Sequence, residues 1–224
     1  TCQDATSLLQ GNLNAGKPKV SCIIEDKNKN LWVGTYGSGL YKINLPTQHV
    51  TYYESTRNEN DDWSINRLPN DWISYLLEDK EGMIWIGTYK GLAVLNPQTD
   101  NFINYKKQNN LLPGYVVYSL LESSNGEIWA GTSEGLVCLN KDRLTPVLFT
   151  TADGLPSDII CGLAEDEKKN IWISTHQGIS KLNPPEKKFI NYYAGDGLQG
   201  NEFTRTAVFL SLIHISEPTR RTPI

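Results

Sequence analysis

Long apolar runs are missing from this 224-residue chain. Its longest uninterrupted apolar stretch falls far short of the roughly 18 residues that a membrane helix needs. Helical periodicity is nearly as scarce: no segment sustains an i, i+3, i+4 apolar stripe, so helical repeats fit poorly. Basic excess is absent too. The formal net charge is −4, whereas a nucleic-acid footprint rests on a basic patch. Lysine pairs such as Lys106-Lys107 and Lys168-Lys169 read as solvated turns and strand ends. Cysteine is sparse, and Cys2, Cys22, Cys138 and Cys161 show no paired spacing. Free thiols are the reading, with a Cys138–Cys161 bridge as the alternative. The three histidines, His49, His176 and His214, form no metal-ligand set with the cysteines and carboxylates. No Ser-His-Asp or Cys-His arrangement stands out. Neither a catalytic residue nor a cofactor is assigned.

What the chain has is a repeat. Trp-x-Gly-Thr recurs as Trp32-Val33-Gly34-Thr35, Trp85-Ile86-Gly87-Thr88 and Trp129-Ala130-Gly131-Thr132, and once more with serine as Trp172-Ile173-Ser174-Thr175. The tryptophans lie 53, 44 and 43 residues apart. A period in this range marks supersecondary units that bury their apolar faces only by stacking. Each unit opens with an apolar run ending in Glu25, Glu78, Glu122 or Glu165. A polar turn follows; in the third unit it contains Asn125-Gly126, a hairpin signal in which both central residues take positive φ. The Trp segment is then a second strand, whose glycine permits close approach of a neighbour. A turn ending in Gly39-Leu40, Gly91-Leu92, Gly135-Leu136 or Gly178-Ile179 opens a third strand. The fourth strand is aromatic and β-branched, as in Phe102-Ile103-Asn104-Tyr105 and Phe189-Ile190-Asn191-Tyr192. Four antiparallel strands per repeat make a β-propeller blade. The expected fold is therefore all-β: about four four-stranded blades of an incomplete ring, over residues 1–210.

With these residues in view, the chain resembles the propeller repeats of bacterial two-component regulators. The matching signature is L/I-x-E-D-x-x-G-x-I/L-W-I/V-G-T-x-x-G-L/I, and the likeness runs from Asn12 to Phe209. The resemblance implies the periplasmic sensor domain of a hybrid histidine kinase held in the inner membrane. It implies an oligosaccharide ligand and a homodimeric parent. No phosphoacceptor or ATP-binding segment is present, so this chain is not expected to be an enzyme, nor to touch membrane or nucleic acid itself. Two departures stand out. The second unit carries an insertion from Glu54 to Arg67. At the C-terminus, 43 residues beyond Trp172 falls on Ile215, with Glu217-Pro218 where Gly-Thr is due. Residues 211–224 resemble the translation of a sequencing adapter and are left out of the fold; a genuine basic tail is the rival reading. Thr1 opens within the repeat pattern with no signal peptide ahead of it. An open arc exposes blade faces and strand edges, so poor behaviour in isolation is expected.

Strand parity locates a candidate site. The second-to-third turns and the fourth-to-first connections emerge on one face, and function on such scaffolds sits in loops. That face collects Tyr36, Tyr89, Lys90, Glu134, His176 and Gln177, together with Asp61, Asp62 and Trp63 of the insertion. These positions vary while the framework repeats, as ligand-reading positions do and as neutral drift does. Trp63 offers a flat apolar face to a sugar ring, with Asp61 and Asp62 to bond hydroxyls. The alternative is a ring folded back over its own blade. His176 invites comparison with propeller lyases, which use a histidine among such loops, but a variable turn residue is the plainer reading. Gly195-Asp196-Gly197-Leu198-Gln199-Gly200 spells a dinucleotide fingerprint, yet it falls in an inter-blade turn rather than between strand and helix. The recurrent glutamates are read as holding their hairpins through turn amides.

Overall fold

The computed structural model describes residues 18–55, 67–105, 112, 116–140 and 146–204. Among these residues sixteen strands form four sheets, each a meander in sequence order. The first sheet holds β1 (Val20–Glu25), β2 (Asn30–Thr35), β3 (Leu40–Asn44) and β4 (His49–Tyr53). The second holds β5 (Ile73–Glu78), β6 (Ile84–Thr88), β7 (Gly91–Asn96) and β8 (Asn101–Tyr105). The third holds β9 (Val117–Glu122), β10 (Ile128–Thr132), β11 (Gly135–Leu139) and β12 (Pro146–Phe149). The fourth holds β13 (Ile160–Glu165), β14 (Ile171–Thr175), β15 (Gly178–Asn183) and β16 (Lys188–Tyr192). Two short 3-10 turns, Thr151–Asp153 and Ala194–Asp196, complete the described structure. The chain divides into two compact units, Thr1–Leu120 and Leu121–Ile224.

Each sheet is organised by its tryptophan. The indole of the second strand stacks on an aromatic ring of the fourth: Trp32 on Tyr53, Trp85 on Tyr105, Trp129 on Phe149 and Trp172 on Tyr192. Centroids lie 5.6–6.0 Å apart at 21–25°. Trp32, Trp85 and Trp129 are fully buried, and a buried indole N–H needs an acceptor. Trp32 Nε1–H donates to Asp26 Oδ2 at 2.8 Å, Trp85 Nε1–H to Asp79 Oδ2 at 2.8 Å and Trp172 Nε1–H to Asp166 Oδ2 at 2.9 Å. The other oxygen of each carboxylate accepts two amides of the first-to-second turn. One carboxylate thus shapes the turn and satisfies the ring. Burial pushes the acid of Asp26 and of Asp166 upward, but the bonds from tryptophan, asparagine and turn amides outweigh it and hold both below the ordinary range.

The same turn corrects an expectation. Ser123-Ser124-Asn125-Gly126-Glu127 is not a two-residue Asn-Gly hairpin. Ser123 N–H donates to Glu127 O, and within the turn only Gly126 takes positive φ, at 83°. Lys29 (62°), Gly82 (81°) and Lys169 (65°) fill that slot elsewhere. A single left-handed residue closes the wider loop, so glycine is not obligatory there.

Within each unit, sheets pack face to face. In Thr1–Leu120 the core joins Trp32 and Leu40 of the first sheet to Ile73, Leu76, Ile84, Ile86, Ala93 and Leu95 of the second. Gly34 shows why the Trp-x-Gly-Thr glycine recurs: an added Cβ would lie 2.7 Å from both Cys22 Sγ and Ile73 Cγ2. Each first strand of sheets one, two and four bulges opposite this slot, pairing Cys22, Tyr75 and Gly162 with Gly34, Gly87 and Ser174. In Leu121–Ile224 the core joins Trp129, Leu136 and Cys138 to Ile160, Leu163, Ile171, Ile173 and Leu182.

Two of the glutamates, Glu78 and Glu165, hold turns, but not those of their own hairpins. Glu78 accepts the amide of Lys27 at 3.3 and 3.1 Å, and Lys27 Nζ returns bonds to Asp79 O and Lys80 O at 3.0 Å each. Glu165 likewise accepts Ser124 N–H at 2.7 Å and its hydroxyl at 2.9 Å. Each therefore clasps the first-to-second turn of the preceding sheet. Glu25 instead pairs with Lys29 at 2.9 Å within its hairpin. Cys22, Cys138 and Cys161 are free thiols; Cys2 lies outside the described residues.

The third sheet breaks the aspartate rule with Ser123, and the Trp129 N–H is buried with no partner among the described residues. Ser123→Asp is expected to supply the acceptor and raise stability by about 1–2 kcal/mol, seen as a higher melting temperature. In a Trp129→Phe background that gain should vanish. Acid stability gives a second test. The folded values of Asp26 and Asp166 lie below the unfolded carboxylate value of about 4, so the unfolded chain binds protons first. Their stabilisation is present above that pH and is lost as pH falls through the lowered folded values. Asp166→Asn should flatten this acid limb in a melting series from pH 6 to pH 2.

Candidate functional site

The loop end of each sheet is built by the threonine of Trp-x-Gly-Thr. Its hydroxyl donates to the carbonyl of Gly39, Gly91, Gly135 or Gly178 at 2.7–3.0 Å. It also accepts a turn amide, from Ser38, Lys90, Glu134 or Gln177, at 3.0–3.1 Å. With both ends of the turn tied by backbone, the side chains at its tip are free to differ. Lys90, Glu134 and Gln177 are exposed there, and His176 is half-buried. The His176 amide donates to Ile159 O at 3.3 Å, which fixes its backbone.

In the Thr1–Leu120 unit this end carries an aromatic cluster. Trp72, one residue ahead of β5, sits between Tyr36 of the β2–β3 turn and Tyr89 of the β6–β7 turn. Its ring centroid is 6.2 Å from Tyr36 at 66° and 5.6 Å from Tyr89 at 61°. The tyrosines are thus steep walls beside the indole. Trp72 remains 49% exposed and Tyr36 37%, far from the burial of the framework tryptophans. Backbone bonds fix the arrangement. Tyr89 N–H donates to Trp72 O at 3.1 Å, Tyr36 pairs with Trp72 in an antiparallel bridge, and Gly37 and Gly39 both donate to Asp71 O at 3.1 Å. Trp72 N–H is taken by Asn70 Oδ1 at 3.1 Å, and the Asp71 carboxylate accepts Ser55 N–H at 2.6 Å. That last bond closes the root of the inserted loop. Lys19 Nζ stands 5.3 Å from the Tyr36 centroid.

Two of the sequence-based candidates, Tyr36 and Tyr89, therefore come together, with Lys90 beside them. Glu134, His176 and Gln177 belong to the Leu121–Ile224 unit and occupy the same kind of turn tip. Trp63, Asp61 and Asp62 lie outside the described residues, as does the 211–224 segment. Trp72 was missed. It falls in a slot that holds Lys19, Val116 and Ile159 in the other repeats, and that mismatch was the available signal.

Other groups are less promising. A polar groove of about 340 Å³ at the opposite end of the first sheet is lined by Asn30, Lys42, Asn44, Thr47, His49 and Thr51. Asn44 and Thr47 are spent on the β3–β4 turn, and Lys42 Nζ on Pro97 O at 3.2 Å. Burial pushes the Cys22 thiol up to about 11 and that of Cys138 to about 12, so neither is an activated nucleophile. Gly195–Gly200 contains a 3-10 turn closed by Gly197 at φ 104°, not a strand-to-helix phosphate loop. Among the described residues no group of three His, Cys, Asp or Glu could hold a metal ion, and no helix is long and apolar enough to cross a membrane.

Comparison with known proteins agrees with this architecture. The profile of the family described as two component regulator propeller matches residues 16–37, 67–90, 111–134 and 154–177. No curated protein sequence matches the chain. Among solved structures, the extracellular domain of a hybrid two-component system from B. thetaiotaomicron is 28% identical with a TM-score of 0.72, over 84% of this chain and 25% of that one. A second extracellular domain of this kind from the same organism is 21% identical with a TM-score of 0.66, over 80% and 25%. Virginiamycin B lyase from Staphylococcus aureus shares the fold at 14% identity and a TM-score of 0.60, over 81% and 57%. The chain spans about a quarter of the two-component domains it matches. It is built of two-component regulator propeller repeats, its four sheets being blades of a partial β-propeller.

Proposed function

We propose that this chain is the ligand-sensing part of a membrane-bound two-component sensor, exposed to the periplasm, and that it binds an extracellular oligosaccharide. The observation that carries this reading is the Tyr36–Trp72–Tyr89 cluster. A half-exposed indole between two steep tyrosines, held by backbone bonds, offers a sugar ring an apolar platform that needs little ordering on binding. The extracellular domain of a two-component system that resembles it in fold and sequence supports the setting. Catalysis is not part of this function: the protein transmits occupancy to a kinase elsewhere in its parent. Transmission requires that the oligosaccharide bind two arrangements of a homodimeric sensor unequally.

Calorimetry against a panel of glycan fragments tests this. At least one oligosaccharide should bind, and Trp72→Ala should weaken it about tenfold or more, equivalent to about 1.4 kcal/mol, with the circular dichroism spectrum unchanged. A protein partner captured with no glycan bound would favour an interaction platform instead. Glycan cleavage lost in His176→Ala would point to a lyase.

A further inference from the structure

Resting on that reading, we infer that the aromatic trough selects saccharides bearing a carboxylate, with Trp72 as the stacking platform and Lys19 supplying the counter-charge. Three observations converge. The first is that Trp72 is not demanded by the framework, since valine and isoleucine fill its slot at Val116 and Ile159. A large ring left 49% exposed on a clamped backbone is an outlier against three fully buried framework tryptophans.

The second is charge. Lys19 is exposed, and its carbonyl accepts the Tyr36 amide at 2.8 Å, which ties the residue to the trough wall. Its ammonium lies over the Tyr36 ring, at the margin of the cluster. Lys90 follows Tyr89 and is also exposed. Among the described residues neither lysine is paired with a carboxylate, unlike Lys29, which bonds Glu25. The third is that the carboxylate of Asp71, on the cluster's own backbone, is oriented by the Ser55 N–H rather than by either lysine. The rim thus presents two exposed ammonium groups, while the Asp71 carboxylate keeps its charge but is turned toward the root of the inserted loop.

These features divide the work of recognition. Stacking on Trp72 serves any pyranose with an apolar face. An ammonium at the margin discriminates, because it is attracted to a carboxylate carried by the ring and gains little from a hydroxymethyl group at that position. A uronate-bearing oligosaccharide meets both conditions. A proline-rich peptide would use the aromatic platform alone.

The test compares uronate oligosaccharides, including galacturonate- and glucuronate-based series, with their carboxyl-reduced counterparts, by calorimetry on the full chain. The acidic forms should bind about tenfold more tightly or better, and the advantage should shrink at high salt. Lys19→Met should erase the advantage while leaving the reduced forms unaffected. Trp72→Ala should weaken both forms; Trp72→Ile, which places at this position the residue found at Ile159, does the same should the alanine variant misfold. Equal affinity for acidic and reduced forms, with Lys19→Met silent, would overturn this inference and leave oligosaccharide sensing intact. Preference for sulfated over carboxylated sugars would overturn it in the same way. If no saccharide binds and a proline-rich peptide does, both this inference and the sensing reading fall.

Discussion

A buried indole with a polar N–H is the constraint from which this fold follows. Trp32 and Trp85 have no exposed surface, so each needs a ring to stack on, apolar cover and an acceptor for its N–H. Trp129 has the ring but, among the described residues, goes without the acceptor. The fourth strand supplies the ring and the adjacent sheet the apolar cover. Asp26 and Asp79 supply the acceptor from the turn that joins the first two strands. Because the same carboxylate also takes turn amides, the tryptophan cannot be seated unless the hairpin has closed correctly. Local and tertiary structure are made to agree through one side chain.

Cohesion between sheets rests on a second polar device, the clasp from Glu78 or Glu165 to the preceding turn. In each unit it secures the sheet end that carries the first-to-second turns. The other end is secured by the threonine hydroxyl that binds both sides of the second-to-third turn. With both ends held by framework residues, the turn tips are released from structural duty. The Tyr36–Trp72–Tyr89 cluster occupies that freedom.

Much of the fold was legible because its determinants are periodic. Four copies of one pattern reveal which positions face a core, and the strand count and parity follow from where glycine, asparagine and proline punctuate each copy. Errors arose where spacing is silent about direction. The glutamate positions announced a turn contact but not whose turn, since a hairpin and the sheet beside it present their amides in similar places. The Asn125-Gly126 pair suggested two left-handed residues where the loop's width needs one. The aspartate recurs six positions before Trp32, Trp85 and Trp172, but its role as acceptor went unread because recurrence marks a position without naming its partner.

The sequence by itself determined the repeating unit, the antiparallel meander and the face on which variable turn residues gather, since each depends on contacts repeated at fixed intervals. Only the tertiary structure decided which of those residues meet. Tyr36 and Tyr89 are 53 positions apart, and Trp72 reaches both only because the backbone ahead of β5 is drawn against the β2–β3 turn by the bonds to Asp71 and the Tyr36 bridge. A cluster assembled across two sheets has no period, so packing alone could bring it into view.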